Sequence, residues 1–167
     1  MKVINCYHYN HMKKTSYQKL AVEQKELLLA AREALRNAYN PYSKFSVGAA
    51  LLSLKGEIIT GANVENAAYG SSLCAERSAL VRANAMGVRR FSQLAVIGQG
   101  AMGVTEEIIA PCGACRQMIF EAAEISGKDM KIIMANTKMT KVAIATISEL
   151  LPLAFGPKDL KVDINKF

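Results

Sequence analysis

The sequence predicts an α/β domain of three layers, α/β/α, with helices on both faces of a mixed five-stranded sheet. Three observations predict it. Short runs rich in Ala, Val, Ile and Leu alternate with longer segments whose apolar residues recur at helical spacing. Glycine, proline and asparagine punctuate the borders between them. The 167 residues suit one domain, and a hydrophobic content of 51% supplies a core without disulfides.

Residues 1–15 show no periodicity and read as a flexible N-terminal extension; residues 16–167 form the single domain. From Ser16 to Ala38 the residues Leu20, Leu27, Ala31, Ala34, Leu35 and Ala38 mark a helix, with Ser16 as N-cap and Asn40-Pro41 as the stop. Phe45 to Ser53 and Glu57 to Ala62 read as a hairpin about Lys55-Gly56. "SSLCAERSALVRANAMG" is a helix closed by Gly87, and "QLAVIG" is a short buried strand. "PCGACRQMIFEAAEISG" is a second such helix, entered at Pro111 and closed at Gly127. "MKIIMAN" and "KVAIATI" complete the strands, and "SELLP" is a short last helix. The order α-ββ-α-β-α-ββ-α places helices on both sides of the sheet.

Composition narrows the function. The formal charge is +7, but the basic residues are scattered, with only short pairs at Lys13-Lys14 and Arg89-Arg90. Tryptophan is absent, so a stacking platform for nucleic-acid single strands is hard to build, and a nucleic-acid partner is not expected. No stretch approaches the roughly 18 consecutive apolar residues of a membrane span. The N-terminal residues lack the apolar run of a secretory signal, so a cytoplasmic protein is expected. "GQGAMG", Gly98 to Gly103, matches a dinucleotide-binding pattern, but Pro111 follows too soon for the helix that pattern needs; it reads as a loop.

The cysteines are Cys6, Cys74, Cys112 and Cys115. Alone, the Cys-x-x-Cys of "APCGACRQ" fits a redox pair, half of a four-cysteine zinc site, or part of a three-cysteine zinc site with one open position. Cys74 decides among them. It opens a helix after a strand, as Cys112 does, and two such helix starts can face three thiolates toward one point. Cys6, His8 and His11 lie in the extension; a structural site completed by Cys6 is the alternative to the expected fourth position open to water. Zinc lowers the pKa of such a water to about 7 in favourable sites. Three thiolates oppose that loss of a proton; two helix N-termini and Arg77 offset them. Glu76, two residues past Cys74, can lean over the open position and carry a proton from water to a leaving group.

"LCAERSAL" and "PCGACRQ", together with "NPYSKFSVGAALL", "TGANVENAAYG" and "ELLPLAFGPKDL", resemble the cytidine deaminases of the small homotetrameric, three-cysteine zinc type, over roughly Leu27 to Leu160. The resemblance implies a cytidine-deaminase-like fold and a catalytic domain that deaminates cytidine and deoxycytidine in pyrimidine salvage. It implies one zinc per subunit on Cys74, Cys112 and Cys115, with Glu76 as proton shuttle. Asn63 and Glu65 would hold the ribose 3′-hydroxyl, Phe45 would pack on the pyrimidine, and the Ala75 N–H would meet the 2-carbonyl. Arg77 would hydrogen-bond the cysteine sulfurs. Ala67, Tyr69 and Phe155 would reach a neighbouring subunit's site in a homotetramer with shared active sites. Ser46 departs from the family's common proline, and "NTKMTKVAIAT" lacks its usual Asp-Gly turn. Rival readings are a deaminase of another aminopyrimidine nucleoside, of blasticidin type, and a non-catalytic zinc or RNA-binding module, which would have no need of Glu76.

Overall fold

The computed structural model describes residues 12–101 and 103–166, so Cys6, His8 and His11 lie outside the described residues. The strands are β1 (Lys13–Thr15), β2 (Ser46–Ser53), β3 (Ile58–Ala62), β4 (Phe91–Gln99), β5 (Lys131–Ala135) and β6 (Val142–Thr146). The helices are α1 (Val22–Ala34), α2 (Ala75–Ala85), α3 (Gly113–Ser126) and α4 (Ile147–Leu150). Among the described residues, one mixed sheet of six strands runs in the order β1-β6-β5-β4-β2-β3.

Six strands replace the expected five. β1 lies antiparallel to β6, with Lys13 opposite Ile144 and Thr15 opposite Val142. Residues 13–15 therefore belong to the sheet, although the sequence placed them in the extension. A three-residue edge strand carrying two lysines has no alternation to read, and lysine is a common guard of a sheet edge. The first helix also starts later than expected. Ser16 precedes a separate 3₁₀ turn, Tyr17–Lys19, and its side chain makes no capping bond. Ala21 is the N-cap of α1, with its N–H donating to Gln24 Oε1 at 3.3 Å. Leu20 sits buried in the break, which is why the apolar spacing runs through it.

Alternation along the central strands builds the two outer layers. Ala50, Leu52, Ala95, Ile97, Ile133 and Ala135 face α1, packing with Leu27, Leu28 and Ala31. Leu51, Leu94, Val96, Ile132 and Met134 face α2 and α3, packing with Ala79, Ala83, Ile119 and Ala123. Two glycines let backbones approach across these layers. A Cβ at Gly48 would lie 2.0 Å from the Ala31 carbonyl oxygen of α1, and one at Gly61 would lie 2.3 Å from the Ala79 nitrogen of α2. Gly48→Ala is therefore expected to destabilise the protein by about 1–3 kcal/mol, because a helix rather than a flexible side chain must move. Chemical denaturation checks this; an unchanged midpoint would show that α1 yields freely.

The topology also sets the site. β3 and β4 are each antiparallel to β2, so they run in the same direction and end at the same edge of the domain. The segments that follow them lead to the starts of α2 and α3.

Candidate active site

Cys74 is the N-cap of α2, Cys112 is the N-cap of α3, and Cys115 lies one turn further along α3. Cys74 Sγ is 3.9 Å from Cys112 Sγ, and Cys112 Sγ is 3.5 Å from Cys115 Sγ. All three sulfurs lie within 4.8 Å of one another. A tetrahedral zinc with bonds of about 2.3 Å to sulfur has sulfur–sulfur edges of about 3.8 Å, so the Cys74–Cys112 and Cys112–Cys115 separations suit two edges of such a site. Cys115 is fully buried and Cys112 is exposed, so the cluster opens toward solvent on the Cys112 side.

The charges around the sulfurs are unequal. The Cys74 thiol is lowered to about 5, first by the hydrogen bond from Cys115, against the opposing effect of burial, and then by Arg77. Cys115 holds its proton well above the ordinary thiol range, because it shares that proton with Cys74 and is shut away from water. Arg77 Nη2 donates to the Ser72 carbonyl at 2.9 Å and reaches Cys74 Sγ at 3.9 Å. Both helix starts leave first-turn N–H groups free of helical partners, which adds positive field at the sulfurs.

Glu76 is only 3% exposed. Burial pushes its carboxyl up, and the negative Cys74 adds to the effect; its own backbone N–H and Arg77 oppose it. A first-turn helix glutamate without a function would sit in water. This one is buried two residues from a sulfur ligand.

A second set of bonds ties the end of β3 to the loop that precedes β2. Asn63, at the end of β3, accepts from the Val47 N–H through Oδ1 at 2.8 Å and donates from Nδ2 to the Phe45 carbonyl at 2.9 Å. Glu65 Oε2 accepts from the N–H groups of Tyr42 and Ser43 at 2.9 and 3.2 Å. The Ser43 hydroxyl, followed by these amides and Lys44, holds the Glu65 carboxyl below the ordinary carboxylate range. Asn63 and Glu65 are thus both tied to the loop that carries Phe45. Ser46 accepts a hydrogen bond from Asn40 Nδ2 at 3.1 Å, so a side-chain bond closes this loop where the family commonly uses proline. The Phe45 ring lies over Gly98: a Cβ there would fall 2.9 Å from Phe45 Cε1 and 2.8 Å from Ile109 Cγ1.

Ala75 is buried at the start of α2. Tyr69 and Phe155 stand 65% and 60% exposed, and Ala67 is exposed as well. The Tyr69 ring meets that of Tyr42 at 5.8 Å between centroids. Gln117 Nε2 donates to the Phe155 carbonyl at 2.7 Å, fixing the backbone that presents this ring. Gly98 and Ile109 were not singled out for this wall from the sequence. Past the end of β4, "GQGAMG" is a loop, as its sequence predicts, and its glycines make room for an aromatic ring and a turn, with the Gly103 N–H donating to the Gly100 carbonyl at 2.9 Å.

Thiols at two helix starts, with a buried carboxylate beside them, at one edge of a layered α/β sheet, define a metal-dependent hydrolytic enzyme. The family model described as the cytidine and deoxycytidylate deaminase zinc-binding region matches residues 21–128, and the chain belongs to that family. A cytidine deaminase of Sporosarcina psychrophila is 42% identical over 139 residues, covering 83% of this chain and 96% of that protein. A probable cytidine deaminase of Dictyostelium discoideum is 36% identical over 138 residues, 83% of this chain and 87% of that protein. The crystal structure of cytidine deaminase from Burkholderia pseudomallei superposes with a TM-score of 0.70 at 42% identity, covering 78% of this chain and 97% of that one. The family and the sulfur geometry together assign zinc to Cys74, Cys112 and Cys115. Among the described residues, no helix is long and apolar enough to cross a membrane.

Proposed function

We propose that this chain catalyses the zinc-dependent hydrolytic deamination of cytidine and deoxycytidine, taking up water and releasing ammonia to give uridine and deoxyuridine. Its place would be pyrimidine salvage in the cytoplasm. The observation that carries the reading is Glu76, a carboxyl group buried two residues past a sulfur ligand at the start of α2.

Bound zinc supplies a Lewis acid that makes water a nucleophile near neutral pH. Every other task falls to the chain. Glu76 Oε takes one proton from the attacking water and delivers it to the ring nitrogen, then takes the second from the hydroxyl added to the ring carbon and passes it to the amine, which leaves as ammonia, as in the zinc deaminases generally. Asn63 and Glu65 grip the ribose 3′-hydroxyl, and Phe45 covers one face of the pyrimidine. The Ala75 N–H, at the start of α2, donates to the 2-carbonyl. Arg77 compensates the thiolate charge that would otherwise oppose ionisation of the water. Loss of the cytidine absorbance band, abolished by stripping metal and restored by zinc, tests this. A zinc-loaded, folded sample that leaves cytidine untouched would overturn it.

The same reading includes a homotetramer with shared sites. Tyr39, Tyr42, Val64, Tyr69 and Leu73 are all at least 37% exposed. Backbone bridges join Tyr39 to Val64 and Val64 to Leu73, and the Tyr42 and Tyr69 rings touch. This forms an apolar patch running up to Cys74, which supports association with other copies there. Phe155 and Tyr69 would then complete a neighbour's pocket. Phe155→Ala is expected to lower activity, and mixing it with the Glu76→Gln variant, followed by subunit exchange, should restore part of it. Hybrids would contain sites with Glu76 from one subunit and Phe155 from another. No gain on mixing would argue that each site is built from one subunit.

A further inference from the structure

We propose that Thr105 and Thr137 form a hydroxyl latch on the Gly98 carbonyl that positions the wall behind the pyrimidine ring; this rests on the deaminase reading. β4 outruns its parallel partner: the last β4–β5 pair is Ile97 with Ala135, while Gly98 stays paired with Val47 of β2 on the other side. Gly98 is buried, so its carbonyl needs a donor that β5 no longer supplies. Two side chains supply it. Thr137 Oγ1 lies 2.6 Å and Thr105 Oγ1 3.0 Å from the Gly98 oxygen, and the two hydroxyls are 2.7 Å apart.

Proton arithmetic assigns the roles. Two hydroxyl protons serve three oxygen–oxygen contacts. Thr137 Oγ1 accepts from the Thr105 N–H at 2.8 Å and is the nearer hydroxyl to the Gly98 oxygen, at 2.6 against 3.0 Å, which makes it the main donor to Gly98. The Thr105 proton is shared between Thr137 Oγ1 and the Gly98 carbonyl. Thr137 is the hub. The rest of the loop is laced to the same β5–β6 turn. The Ile109 N–H donates to the Ala135 carbonyl at 3.3 Å, and fully buried Asn136 donates from Nδ2 to the Glu106 carbonyl at 3.3 Å.

The consequence lies on the far side of Gly98. There a Cβ would fall 2.8 Å from Ile109 Cγ1 and 2.9 Å from Phe45 Cε1, so the glycine leaves that space to these two side chains. The turn "NTKMTK", unlike an Asp-Gly turn, is thus a clamp on the loop that carries Ile109 and leads to Cys112. The latch touches neither the sulfurs nor Glu76. Thr105 and Thr137 are positioning residues, acting on base binding through Gly98, Ile109 and Phe45.

The test uses the zinc-loaded protein and three variants. Thr137→Val keeps the shape and removes the hub hydroxyl; Thr105→Val removes the other; Thr137→Ser keeps the hydroxyl. Thr137→Val is expected to raise KM for cytidine and Kd for uridine by roughly five- to tenfold, the effect of about one hydrogen bond. Its kcat should stay within about twofold of the parent and its zinc at one per chain. Thr105→Val should follow in the same direction but less, and Thr137→Ser should behave as the parent. Hydrogen exchange should quicken over residues 98–110 in Thr137→Val alone of the Thr137 variants. Unchanged exchange, an unchanged KM, or a Ser variant as impaired as the Val variant would each overturn the latch. A parent that turns over no cytidine would instead overturn the deaminase reading, and the exchange comparison would still decide whether the latch exists.

Discussion

Glu76→Gln is expected to reduce cytidine turnover by roughly 10²–10⁴-fold while zinc remains at one per chain. Glutamine fills the same space and keeps a carbonyl oxygen, so the pocket around residue 76, which is 3% exposed, need not repack. What it loses is the ability to accept a proton from water and give it up again. A structural glutamate would behave differently: its replacement by the neutral amide would relieve an unfavourable buried charge and leave the rate alone. Single-turnover assays with parallel metal analysis separate the two. Full activity in the variant would remove Glu76 from the mechanism and revive the non-catalytic zinc module as a reading.

Cys115→Ser is expected to lose both zinc and activity, and added zinc should restore stripped parent protein but not the variant. The titration of the sulfurs extends this to pH. Zinc binds thiolates, so every proton still on the cluster must leave. In the metal-free protein Cys74 ionises near 5, whereas Cys115 keeps its proton well above the ordinary thiol range. The apparent zinc affinity should therefore rise with pH throughout the neutral range, because the Cys115 proton is always displaced. It should fall more steeply below about pH 5, where Cys74 must give up a proton as well. Chelator competition at several pH values measures the slope. An affinity independent of pH between 6 and 8 would mean that Cys115 is not a ligand.

The features legible in the sequence are those whose cause is local. Gly56 and Gly87 take up positive φ where the hairpin turn and the end of α2 were expected, and Gly127 does so at the end of α3. α3 begins just after Cys112 within the expected segment, whereas α2 begins at Ala75, later than the Ser71 at which "SSLCAERSALVRANAMG" opens. Convergence of Cys74 and Cys112 was also legible, because strand direction and helix starts follow from the order of elements. Features that depend on distant partners were not. β1 exists only because Lys13–Thr15 finds β6, some 130 residues away in sequence, and nothing in "KKT" announces a strand. The double duty of Asn63 and Glu65 toward the Phe45 loop depends on bonds across 16 to 23 residues. The Thr105–Thr137 contact spans 32, and no periodicity encodes it. The last hairpin turns without Asp-Gly because Met139 itself adopts φ 56° and buries its side chain against the α1 layer.

The cysteines at the starts of α2 and α3 occupy positions where serine, threonine, asparagine or aspartate would normally close the first turn, and neither side chain makes a capping bond. Such a bond is worth about 1 kcal/mol at each helix. Both helices have forgone it in favour of sulfur. A metal held there ties the two helix starts to each other, and its departure frees both at once. Metal occupancy and local order at this edge of the domain are therefore expected to be coupled. Stripping zinc should then speed proteolysis near the starts of α2 and α3, and equal cleavage with and without metal would show that the sheet alone holds them.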